Sequence, residues 1–290
     1  LYSIYVRNYS KEGTFAAVQA DLDRIKALGT DIIWLLPIHP TGEKNRKGSL
    51  GSPYAIRDYR AVNPEFGTLD DFRHLVDAIH ARGMKCIIDV VYNHTSPDSW
   101  LAENHPEWFY HKPDGSLGNR FGDWWDVADL DYSHPELWDY QIETLKTWAR
   151  LVDGFRCDMA QSLVKGDDKQ HTGTMRLWHE LRSWFEAKYP EGILISEWSQ
   201  PRQSLRAGFH IDLLIHNGAG TKIYRTLVCQ TDDRGTKETP CFFDYEGRGQ
   251  VKAFAENYRT EYETTRELGY AAMPTCSHDI WRLNRFDRNT

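Results

Sequence analysis

The chain has 290 residues, 40% of them hydrophobic and 27% charged, with a formal net charge of -7 and a pI near 6.0. That balance excludes disorder, and no apolar run approaches the roughly 20 residues that span a bilayer. The acidic balance argues against a nucleic-acid binder, for which a basic face would be expected, and neutral or polar substrates fit better. Nothing reads as a signal peptide. The five cysteines (Cys86, Cys157, Cys229, Cys241, Cys276) are widely spaced and sit mostly in apolar runs, which suits free thiols in a reducing, cytoplasmic setting. The 11 Trp and 15 Tyr fill a core or stack on the apolar faces of sugars.

In chain order, strands are expected near 3–7, 31–37, 85–92, 153–159, 192–197, 211–215 and 270–276. Helices are expected over 14–28, 68–82, 134–150, 172–188 and 250–267, the second opened by Thr68 with Asp71 as a relative of the capping box. Repeated βα units imply a parallel sheet, and so many of them favour a (β/α)8 TIM barrel. From Thr95 to Asp131 the rhythm stops in favour of Pro, Gly, Asn and aromatics. This is read as a small inserted domain B after the third strand, between barrel segments 1–94 and 132–290. Its Trp108, Trp124 and Trp125 are expected in that insertion's core, Met159 and Met175 in the barrel core, and "KGDDK" (165–169) in a solvated loop. Seven strands are in view, so an eighth is expected either within residues 216–245 or beyond this chain, and the second is favoured.

Active sites of this architecture lie at the C-terminal ends of the strands. Those positions hold Asp89, Asn93 and His94, then Arg156 and Asp158, then Glu197, then His278 and Asp279. Arg156 and Asp158 are two apart on one strand and project to the same face, with Phe155 and Cys157 opposite. A structural ion pair would satisfy that spacing, as would catalysis. Three carboxylates with two imidazoles suit either a metal site or a glycosidase. A permanently charged guanidinium beside Asp158 repels a divalent cation and lowers that carboxylate's pKa, which favours a nucleophile. Glu197 is then the proton donor, and its neighbour Trp198 excludes water or stacks on a sugar.

The ordered set "DVVYNH" (89–94), "GFRCD" (154–158), "ISEW" (195–198) and "SHD" (277–279) resembles the sequence signatures of the α-amylase family of retaining glycoside hydrolases and transglycosylases. The stretches "GSPYAIRDYRAVNPEFGTLDDF" (51–72) and "VADLD" (127–131) extend the resemblance over nearly the whole chain. It implies that Asp158 is the nucleophile, with Arg156 as its electrostatic partner, Glu197 the acid/base, and Asp279 the residue that stabilises the transition state. Retention by this route requires the two carboxyl groups about 5–5.5 Å apart. The same resemblance implies that His94 and His278 bind the sugar, that Tyr54 stacks beneath it, and that Arg282 matches an arginine often found after the third acid. The implied substrate is a starch-like α-glucan or maltooligosaccharide. Transfer to a sugar, action on sucrose or trehalose, or a non-catalytic glucan-binding role are the alternatives.

The departures are Ser277, where the family usually has Asn, and Ser162, where many members offer a His backbone to calcium. No cofactor is required for the chemistry. A structural calcium on Asn93 and Asp129 is the one metal the resemblance implies, and the aspartate-rich calcium loop of some members is absent from "VRNYSKEGTF".

Overall fold

The computed structural model describes residues 1–120, 122–214 and 251–279. It divides into two compact units: Leu1–Asp167 with Ser183–Ile193, and Asp168–Arg182 with the described residues from Leu194 onward.

The first unit opens with β1 (Tyr2–Ile4), α1 (Val6–Tyr9), α2 (Phe15–Ala20), α3 (Leu22–Ala27) and β2 (Ile32–Leu35). It continues through α4 (Leu69–Ala81), β3 (Lys85–Val91), β4 (His94–Thr95), α5 (Trp100–Asn104), β5 (Ala128–Asp129), α6 (Pro135–Ala149) and β6 (Gly154–Asp158). β1, β2, β3 and β6 pair in that order, all parallel. Strands buried on both faces must be apolar almost throughout, and "KCIIDVV" in β3 is buried from its second residue to its last. α4 shows how the helices cover them. Thr68 and Asp71 form the expected capping box, and Phe72, Leu75, Val76 and Ile79 make one buried stripe.

At the start of β6 the carboxylate of Asp153 accepts from the Cys86 N–H at 2.8 Å, His80 at 2.6 Å and Lys85 at 3.0 Å. It fastens the strand end opposite Asp158. Gly154 is needed beside it, because a Cβ there would lie 2.1 Å from the Ile193 carbonyl oxygen.

α7 (Thr172–Lys188) follows β6, and the second unit then holds β7 (Ile193–Glu197, from its second residue), α8 (Pro201–Ser204), β8 (Ile211–Leu213), α9 (Val251–Thr265) and β9 (Tyr270–Ala272). β8 is parallel to β7 on one side and to β9 on the other. All seven expected strands are present. Residues 216–245, where an eighth was considered, lie outside the described residues.

Two expectations need correction. The first strand stops at Ile4 and the chain turns into α1, because Arg7 is drawn away to the carbonyls of Leu50 and Gly51 and to Glu65. The expected helix 14–28 is broken at Asp21, whose carboxylate holds Arg24 and the Tyr9 hydroxyl instead of leaving the backbone helical. Of the cysteines, Cys86 and Cys157 are buried free thiols and Cys276 is free and half-buried, whereas Cys229 and Cys241 lie outside the described residues.

The 95–131 segment is closed at its base by β4 and β5, an antiparallel pair that sets His94 opposite Asp129. Trp108 is buried and stacked on His105 at 3.9 Å, as expected of core. Trp125 is 59% exposed, with the Lys47 ammonium 4.8 Å from its ring, so it does not belong to that core. Met159 and Met175 are half-buried rather than core residues.

Candidate active site

In register, Asp89 on β3 lies beside Arg156 on β6, and Val91 beside Asp158. Side chains alternate, so Asp89, Arg156 and Asp158 share one face. One guanidinium nitrogen of Arg156, Nη1, donates to Asp89 Oδ1 at 2.9 Å and to Asp158 Oδ1 at 2.9 Å. Both Arg156 and Asp89 are fully buried, and Asp158 is 7% exposed. Asp89 also accepts from the Trp34 indole at 3.2 Å and the Tyr54 hydroxyl at 3.0 Å, and the guanidinium carbon lies 5.0 Å from the Trp34 ring centroid. Charges this deep persist only when paired and hydrogen-bonded. Asp89 is committed to holding Arg156 and Tyr54, while Asp158 is the last residue of β6 and the less buried of the two carboxylates. Phe155 and Cys157 face the other way into the core, and Phe155 meets Phe185 at 5.9 Å.

The residue after Asp158, Met159, has φ 42°, a left-handed conformation costly for a side chain of this kind. It turns the chain sharply off the strand into the single turn Ala160–Ser162. Ser199, two residues after Glu197, does the same with φ 58°.

His94 is buried at the end of the same unit's β3 connection. The single proton of the Tyr59 hydroxyl is shared between the carbonyls of Val91 at 2.6 Å and His94 at 2.9 Å, pinning the backbone there. The Asn93 amide nitrogen is 2.9 Å from His94 Nδ1, and Asn93 Oδ1 accepts from the Lys165 ammonium. An ammonium only donates, so the oxygen of the amide faces Lys165 and its NH2 faces His94. His94 Nδ1 is therefore an acceptor, and its proton sits on Nε2. Trp124 stands edge-on to the His94 ring at 5.6 Å.

Asn93 and Asp129, expected as calcium ligands, are brought together, but around this ammonium. Lys165 also donates to the Ser162 carbonyl at 2.6 Å and is within electrostatic reach of Asp129. Burial pulls the lysine down to about 8, with Asp129 opposing that shift. Burial likewise raises the Asp129 carboxyl, against Lys165 and Arg120. Lys165 thus departs from the expected solvated loop. Asp168 and Lys169 of that segment are exposed.

In the second unit Glu197 is the last residue of β7, half-buried. Its support comes from Asp212 on β8, a residue sequence reasoning passed over. Asp212 Oδ1 accepts from the Ser196 hydroxyl at 2.8 Å and from the backbone N–H groups of Trp198 and Ser199 at 3.1 Å each. One carboxylate oxygen thus fixes the residues on both sides of Glu197. Burial raises the Asp212 carboxyl to about 7 despite these bonds. The only signal in the sequence was one Asp inside the apolar run "IDLLI".

Trp198 is 1% exposed and packs edge-on against His171 and Phe209. Of its two expected roles, stacking on a sugar is thereby excluded and excluding water remains. His278 Nε2 lies 3.1 Å from Asp279 Oδ2, and the Asp279 N–H donates to the Ser277 hydroxyl at 3.0 Å, so Ser277 caps Asp279. Arg282 lies outside the described residues. Tyr54, Arg156 and Asp158 thus form one cluster with Asp89, Asn93, His94 and Asp129 a second, and His278 and Asp279 a third. Among the described residues no group of three or more His, Cys, Asp or Glu side chains is arranged to hold a metal ion.

Comparison with known proteins identifies the family. The family described as alpha amylase, catalytic domain, matches residues 4–284. An alpha-1,4-glucan:maltose-1-phosphate maltosyltransferase from Rhodospirillum rubrum is 36% identical over 64% of this chain and 28% of its own length. An alpha-amylase structure from Lactobacillus plantarum superposes with a TM-score of 0.72 at 44% identity, over 94% of this chain and 59% of that one. The maltogenic alpha-amylase AmyB from Thermotoga neapolitana gives 0.73 at 30% identity, over 93% and 57%. The chain therefore spans under a third of that curated relative and somewhat over half of these solved chains. The parallel βα succession and these neighbours make the fold that of a (β/α)8 barrel, and with a family match running almost from end to end the chain belongs to the α-amylase family.

Proposed function

We propose that the chain carries the catalytic residues of a retaining enzyme that cleaves α-glucosidic bonds of starch-like glucans or maltooligosaccharides. In this reading Asp158 attacks the anomeric carbon as the bond to the leaving oxygen breaks, and Glu197 gives that oxygen its proton. The glycosyl ester on Asp158 is then displaced by water, whose proton passes to Glu197. Two inversions amount to retention. Asp279 and His278 bind the hydroxyls of the distorted ring, His94 donates from Nε2, and Tyr54 offers its half-buried ring to the sugar face. Residues 95–131 act as domain B between the barrel segments 1–94 and 132–290.

The observation that carries this reading is the Asp89–Arg156–Asp158 array. A buried guanidinium that cannot act as an acid orients a carboxylate at the end of a barrel strand. A binding-only relative would have no use for so costly an arrangement.

Transfer is the second reading, favoured by the likeness to a maltosyltransferase. It shares the intermediate and differs only in whether a sugar hydroxyl replaces water.

Proton NMR of maltoheptaose with the protein and with a Glu197→Gln variant tests the proposal. Early α-anomeric reducing ends that vanish in the variant support hydrolysis with retention. Glucan chains lengthened from maltose 1-phosphate, with phosphate released, support transfer instead. β-Anomeric products would contradict both.

A further inference from the structure

The Lys165 ammonium joins three parts of the first unit: the residue after the β3 turn, the turn after the nucleophile strand, and the base of the 95–131 segment. It donates to Asn93 Oδ1 and to the Ser162 carbonyl, and it faces the fully buried carboxylate of Asp129. These are the side chains and the backbone position that a structural calcium would use. Asp129 Oδ1 is buried and, among the described residues, accepts no hydrogen bond, so this oxygen is balanced by charge rather than by a donor. Arg120, whose N–H donates to Asp129 Oδ2 at 2.9 Å and whose guanidinium lies 3.7 Å from it, is the second cation, and Asp131 is the second anion within reach of Lys165.

Among the described residues two positive and two negative charges thus meet here, Lys165 and Arg120 against Asp129 and Asp131. Calcium needs six to eight oxygens at about 2.3–2.6 Å, and here two of them are already taken up by an ammonium that would repel it. The residues do not fit a calcium ion while Lys165 is present.

We propose that Lys165 is an internal structural cation that stands where a calcium ion would, making this fold independent of calcium. The lysine clamps the turn that follows Asp158 to β5 and the Asn93 loop. By fixing the Asn93 amide it also sets the tautomer of His94, which makes it a positioning residue. The inference concerns binding and stability, and it stands whichever glycosyl reaction the protein performs.

The test compares thermal unfolding of the protein in EDTA and in millimolar calcium chloride, with calcium uptake followed by calorimetry, for the native sequence and for Lys165→Ala. The native protein is expected to show the same Tm in both buffers and to take up no calcium. Lys165→Ala is expected to lose roughly 5–10 °C in EDTA and to regain roughly 5 °C in calcium, with one ion bound. Calcium uptake by the native protein with a rise in Tm that EDTA reverses would overturn the proposal, and this arm holds even if the variant does not fold. A variant as stable as the native protein, or one that calcium fails to restore, would overturn it as well.

Discussion

Asp212 offers the sharpest test of how the backbone around Glu197 is held. Its carboxyl is raised by burial to about 7, against an unfolded value of about 3.9. The folded state therefore holds a proton that the unfolded chain releases first. By linkage the stabilisation from this group is complete below about pH 4 and is lost as pH rises to about 7, at up to about 1.4 kcal/mol per unit, or about 4 kcal/mol in all. Among the described residues the facing groups are the Ser196 hydroxyl and backbone N–H groups, with no charged partner to offset the loss. Asp212→Asn keeps an acceptor for those donors and removes the titration. Its NH2 takes the place of Oδ2, which meets no donor at full hydrogen-bond geometry among the described residues. The protonated acid bears a similar burden, so the two proteins should match in urea stability near pH 4–5, and the variant should be the more stable by a few kcal/mol near pH 8. Asp212→Ala orphans two buried N–H groups and should cost about 2–6 kcal/mol at either pH. If Asp212→Asn were strongly destabilised near pH 8 and the pH slope persisted, the carboxylate would be ionised in the fold and this reasoning would be wrong.

The other predictions are more direct. Arg156→Leu leaves two buried carboxylates facing each other and should destabilise by about 3–5 kcal/mol by urea titration, with activity lost. Gly154→Ala places a methyl against the Ile193 backbone and should cost about 3 kcal/mol or more, seen as a lower midpoint of denaturation. Thr68→Ala removes one side of the capping box and should cost about 1 kcal/mol without changing kcat/KM.

The pairing of Arg156 with Asp158 was legible because parity along one strand puts both side chains on one face, whereas Asp89 joins them through the β3–β6 register, which no single strand reveals. The strands themselves were legible because a parallel sheet buries both faces and leaves unbroken apolar runs. Lys165 was not, since a lysine opening the run "KGDDK" carries no local mark of the Asn93 and Ser162 oxygens it meets. Asp212 was hidden for the same reason, its partners being mostly backbone N–H groups 13 and 14 residues away. The break at Asp21 and the turn at Val6 reflect tertiary hydrogen bonds that override helix and strand periodicity. Trp125 is exposed and Trp198 buried, contrary to a core place for the first and a sugar-stacking role for the second, because aromatic content alone does not say which ring faces water.

The central claim is that Asp158 forms a covalent bond to the sugar, and a slow fluorinated α-glucosyl fluoride tests it. The protein is incubated with the reagent and digested, and the peptides are weighed by mass spectrometry. A glycosyl adduct on the peptide containing Asp158, absent from Asp158→Asn, is the predicted result. An adduct on another residue, or turnover of the reagent with inverted configuration and no adduct, would contradict the account.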